Sequence, residues 1–122
     1  LQEKRLQELL SSPPSALEGV VFVRKLLENQ SIYQLTASEY LTLIEGCRAI
    51  DPDFFVWLKE KQIEMKPRYI VCCVLIRMGK TKEDMMSIFN INDGNYRVLR
   101  SRVRGRLGAE DEDMETFLKE LH

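Results

Sequence analysis

The 122-residue chain is predicted to be all-α, a helical bundle. Three observations lead there. Apolar residues recur at spacings of three and four in segment after segment, the period of a helix with one buried face. Helix-start signals stand in front of those segments at Thr36-Ala-Ser-Glu39, Asp51-Pro52, Thr81 and Asn92. No internal repeat is visible, and every element reads as helix.

Composition sets the outer bounds. Hydrophobic residues make up 44% of the chain and charged residues 30%, enough for a core and a charged surface. The longest apolar cluster, Tyr69–Ile76, is too short to span a bilayer. The opening LQEKRLQELL is polar-amphipathic, unlike a signal peptide, and without an initiator Met the chain is expected to be part of a longer one. Cys47, Cys72 and Cys73 lack metal-ligand spacing and read as small buried hydrophobes. The one histidine is the last residue, and no Gly-rich phosphate loop or Ser/His/Asp set is present. Neither an enzyme nor a cofactor nor a metal site is expected.

Charge is unevenly spread. Between Lys66 and Gly108 ten Lys/Arg face three Asp/Glu, a net +7, while the remainder holds eight against sixteen, a net −8. One segment suits a polyanion and the other does not.

In chain order, residues 1–14 read as the end of a coiled coil and a linker. Leucines stand at 1, 6, 9 and 10, and Ser11-Ser12-Pro13-Pro14 breaks the helix. Residues 15–64 form a helical subdomain. Its first helix is expected over 15–29, with Leu17, Val20 or Val21, Arg24 and Leu27 along one side. The Thr36/Glu39 pair forms a capping box for a helix carrying Tyr40, Leu43, Ile44 and Cys47 on one face. Asp51 is expected to cap the next helix, with Pro52 at its first position and the aromatic load Phe54, Phe55 and Trp57 as core.

Residues 65–122 hold the most informative stretch, NDGNYRVLRSRVRGRLG at 92–108. Five arginines fall between Arg97 and Arg106, and no acid follows Asp93. Tyr96, Leu99, Val103 and Leu107 make one apolar stripe. Opposite lie Gly94, Arg97, Val98, Ser101, Arg104 and Gly105, a face that can approach a groove closely and still donate hydrogen bonds. Arg100, Arg102 and Arg106 flank it. A solvated basic face is the plainer reading of the same residues.

The stretch Met65–Gly108 resembles the LuxR-type (GerE-like) helix-turn-helix, which implies that the bundle ends in a four-helix unit. Met65-Lys66-Pro67-Arg68 stands at the family's Leu-Ser/Thr-x-Arg opening, followed by Ile70, Cys73, Val74 and Ile76 as a buried side. Gly79 matches the glycine that turns the chain out of the first helix, Thr81 the cap of the scaffold helix, and Ile91-Asn92 the pair before the recognition helix. Tyr96, Val103, Leu107 and Gly108 match the buried Val, Ile and Leu and the closing Gly. Tyr69 replaces the family's Glu, Met86 a small residue, and Asn95 the Ser/Thr before the buried Val.

The resemblance implies sequence-specific binding of double-stranded DNA by a bacterial transcriptional regulator, with the helix Asn92–Leu107 in the major groove. By position, Arg97, Val98 and Ser101 would read bases. Arg100, Arg104 and Arg106, with Lys80 and Lys82, would hold phosphates. It further implies a last helix at 110–121 that mediates homodimerisation, although a helix with Met114, Phe117, Leu118 and Leu121 apolar equally suits closing the bundle. Similar units end tetratricopeptide-repeat regulators anchored in the inner membrane, which would make this chain their cytoplasmic output and the leading leucines an upstream dimer contact. The alternative is a protein-interaction or autoinhibitory module whose basic helix binds an acidic surface, including the acidic part of its own chain.

Overall fold

A computed structural model describes residues 17–108 and 114–121. Its regular elements are helices, with no strand among the described residues: α1 (Leu17–Leu27), α2 (Ala37–Ile50), α3 (Pro52–Glu60), α4 (Pro67–Arg77), α5 (Lys82–Phe89), α6 (Asp93–Leu107) and α7 (Met114–Lys119). The expected coiled-coil end and linker at 1–14 lie outside the described residues.

Helix α4 occupies the centre because its composition leaves it no polar side. Tyr69 and every residue from Val71 to Ile76 are buried, and a helix that is apolar all round must be covered all round. Helices α2, α6 and α7 supply that cover. The buried side is broader than the stripe expected from the sequence, with Tyr69 inside and Ile70 only half-buried. All three cysteines are buried free thiols.

Helices α1 and α2 meet backbone to backbone. A Cβ on Gly19 would lie 2.7 Å from the Gly46 nitrogen and 2.9 Å from the Thr42 carbonyl oxygen, and one on Gly46 would overlap the Gly19 carbonyl. This approach sets the roll of α1. Val20, Val23 and Leu26 point inward while Val21 and Arg24 face solvent, so the expected stripe through Arg24 and Leu27 is rotated. The Thr36 capping box forms as read: Glu39 N donates to Thr36 Oγ1 at 3.1 Å and Thr36 N to Glu39 Oε1 at 3.0 Å.

Asp51 departs from its expected role. It precedes α3 but makes no capping hydrogen bond with its side chain. Its carboxylate turns inward to Arg77, 2.6 Å from Nε and 2.9 Å from Nη2. A charge-assisted pair with a guanidinium outweighs a single cap to a backbone amide. Phe54, Phe55 and Leu58 are core, and Trp57 stacks on Phe54 and meets Phe117 of α7 edge-on.

The boundary expected at residue 64/65 falls between α3 and α4, yet the apolar interior runs across it as one cluster. Polar ties cross it too. Ile32 N donates to Ile88 O at 2.8 Å, and Asn29 Nδ2 to Asp84 Oδ1 at 3.0 Å. No helix among the described residues is long and apolar enough to cross a membrane.

Candidate nucleic-acid interface

Helices α5 and α6 form a pair whose geometry follows from local rules. Thr81 starts α5 with a reciprocal box: Asp84 N donates to Thr81 Oγ1 and Thr81 N to Asp84 Oδ2, both at 3.1 Å. After eight residues Asn90 enters the left-handed region at φ 54° and ends the helix, a conformation asparagine tolerates better than most residues. Ile91 N donates back to Met86 O at 3.0 Å. Asn92 then caps α6, its Oδ1 accepting from Asn95 N at 2.8 Å. Three residues, Asn90 to Asn92, therefore separate the two helices.

Four residues of α6 are buried, Tyr96, Leu99, Val103 and Leu107, the stripe read from the sequence. The Tyr96 hydroxyl donates to the Met85 sulfur at 3.9 Å, joining α6 to α5 inside the core. Packing of these side chains fixes the opposite face outward. Gly94, Arg97, Val98, Ser101, Arg102, Gly105 and Arg106 are exposed, Val98 by 46%.

The cations expected to serve this face divide into two groups. Lys80 and Arg100, which the sequence reading places at phosphates, are engaged inside the fold. Lys80 Nζ donates to Leu27 O at 3.0 Å and Asn29 Oδ1 at 2.7 Å, bracing the C-terminal end of α1. Arg100 Nη2 lies 2.6 Å from Glu115 Oε1 and 2.7 Å from Oε2, holding α7 against α6. Arg104 is half-buried, with its Nε enclosed and without a hydrogen-bond partner. Arg106, Lys82 and Arg97 remain on the surface.

Asp93 organises two of these. Lys82 pairs with its Oδ1, and Arg97 Nε lies 2.9 Å from its Oδ2. The Lys82 ammonium holds the Asp93 carboxyl below the ordinary carboxylate range, and the Arg97 guanidinium adds to the effect. With Nε committed, the two terminal nitrogens of Arg97 have no ion-pair partner among the described residues, on a side chain that is 77% exposed.

A cleft of about 400 Å³ opens beside this face, between the start of α4 and the N-terminal half of α6. Lys66, Arg68 and Tyr69 line one wall, and Asn95, Val98 and Arg102 the other. Of these, only Val98 belongs to the base-reading set drawn from the sequence. Lys66 and Arg68 contributed to the positive count of the segment, but their approach to α6 is tertiary and left no local signal.

The C-terminal helix uses its apolar side within the chain. Met114 and Leu118 are fully buried, Phe117 packs on Trp57, and the helix is described only from Met114. Such packing fits bundle closure. Compared with protein-family models, curated proteins and solved structures, the chain matches none.

Proposed function

We propose that the chain binds double-stranded DNA with sequence preference, as a LuxR-type transcriptional regulator with α6 in the major groove. One observation carries the reading: α6 is divided lengthwise into a buried apolar stripe and an exposed face of glycines, Val98, Ser101 and guanidiniums. Gly94 and Gly105 let that face approach a groove wall. Arg97 donates to the two acceptors of a guanine, Val98 touches a thymine methyl, and Ser101 donates or accepts at a neighbouring edge. Arg106, Lys82 and the exposed end of Arg104 hold phosphates, which set register and carry no sequence information. Selection of bound fragments from random duplex DNA tests this. An enriched motif supports it, and absence of duplex binding at low salt removes it.

A second reading has its own observation. Glu115 of α7 already neutralises Arg100 of the basic helix, so the acidic end of the chain can mask the basic face. Glu115→Gln then raises duplex affinity; an unchanged affinity leaves the pair a structural brace. Met114 and Leu118 of α7 are buried in the chain's own core, so a homodimer contact through α7 would fall on the remaining side of that helix.

A further inference from the structure

Lys66, Arg68 and Arg102 form no ion pair among the described residues, unlike Arg77, Lys82, Arg97 and Arg100. All three line the cleft between α4 and α6, and no acid lines it with them. Aromatic rings hold two of the cations in place: the Lys66 ammonium lies 5.8 Å from the Tyr69 ring centre and the Arg68 guanidinium 5.5 Å from that of Phe89. Three like charges around one concavity repel each other and focus positive potential into it. An anion that fits the cleft relieves that repulsion.

We propose that this cleft is a phosphate-binding site, and that it takes a backbone phosphodiester of the DNA duplex. The choice of phosphate follows from the donors. Arg68 and Arg102 each present the planar fork that matches a pair of phosphate oxygens, Lys66 adds a point charge, and the Asn95 carboxamide adds a neutral donor. The choice of a duplex rests on the proposed function and on Val98, which lines the cleft and also sits on the outer face of α6. Asn95, Val98 and Arg102 are three and four residues apart, so they share one side of the helix. A phosphate held there fixes the roll of α6 in the groove, and with it the base that Val98 meets. The backbone then runs past the start of α4, a track to which Lys80, turned to the C-terminal end of α1, does not contribute.

The test uses the whole chain, with inorganic phosphate and a random-sequence duplex as separate probes. The duplex is expected to shift the side-chain resonances of Asn95 and Arg102. Arg102→Gln and Lys66→Gln should each weaken cognate and random duplex by the same factor and lower the salt slope by about 0.9. These side chains are exposed, so an unchanged melting temperature shows that the variants remain folded. Duplex binding with unchanged slopes in both variants overturns the cleft and leaves the DNA reading standing. Phosphate binding at Asn95 and Arg102 without any duplex binding keeps the phosphate site, assigns it to a small phosphate-bearing ligand and overturns the DNA reading. No shift at these residues with either probe overturns the site.

Discussion

Asp51 and Arg77 form a buried two-pronged ion pair between the α2–α3 junction and the end of α4, with side-chain exposures of 6% and 10%. Arg77 does more than answer one carboxylate. Its Nη1 donates to Leu118 O at 2.6 Å and Leu121 O at 3.1 Å, and the guanidinium lies 5.6 Å from the Phe54 ring centre. One side chain thus ties α3, α4 and the C-terminal end of α7, where the helix dipole favours a cation. Arg77→Met leaves Asp51 buried without its partner and should cost about 3–5 kcal/mol. Adding Asp51→Leu removes the orphaned charge and should recover much of that loss. Urea denaturation reads both; a double variant no more stable than the single one would show that the cost lies in the lost packing and the lost hydrogen bonds to Leu118 O and Leu121 O.

The Gly19–Gly46 crossing gives a prediction that does not involve charge. Gly46→Ala places a methyl against the Gly19 backbone, which has no rotamer with which to yield. Separation of α1 and α2 should cost at least about 1–3 kcal/mol, although alanine is the better helix former. Gly94→Ala is the control. Its Cβ would meet nothing closer than 3.6 Å, so stability should hold or rise. Equal melting temperatures for the two variants would refute the close crossing.

How far the sequence could be read depended on the range of each interaction. The caps at Thr36, Thr81 and Asn92, the turn at Gly79 and the stripe of α6 obey rules spanning three or four residues, and the structure shows each of them. Asp51 departs from the capping rule because its local context, an acid before Pro52, satisfies that rule while its partner lies 26 residues away. The sequence reading places Lys80 and Arg100 at phosphates by their positions on the helix-turn-helix, and contacts from elsewhere in the fold leave no trace in that local pattern. Their partners in the fold are Leu27 and the turn residue Asn29 for one and Glu115 of α7 for the other. The roll of α1 was beyond periodicity alone, since two adjacent valines fit the stripe and only the Gly19–Gly46 approach selects Val20.

Burial makes the thiols inert. Cys47 and Cys72 are each pushed up to about 12, chiefly by desolvation of the thiolate, and Cys73 also lies well above its ordinary value. Iodoacetamide at pH 8 should leave all three unmodified in the native chain and alkylate all three in urea. Because the folded pKa values are raised, the stability they contribute is intact below the unfolded thiol pKa of roughly 8.5. It declines as pH rises from there toward 12. A native chain that labels rapidly at any of the three would show that the centre of the bundle opens.

Reading and holding are separable on α6. Arg97 is exposed, and Asp93 fixes its Nε while leaving its terminal nitrogens free, the arrangement a bidentate donor to guanine needs. Arg97→Ala should therefore cost about 1–3 kcal/mol on the selected site and relax preference at one base position. Arg106, exposed in the last turn, should act differently. Its replacement by Ala should weaken cognate and random duplex alike and lower the salt slope by about 0.9. Neither change touches the buried stripe, so both variants should melt with the parent chain, whereas Leu99→Ala should lose about 2–5 kcal/mol of stability. The Asp93 carboxyl is held below its ordinary range, so it stays ionised at neutral pH and the brace on Arg97 persists under assay conditions. Equal losses on cognate and random DNA for Arg97→Ala would move that residue from base reading to phosphate holding.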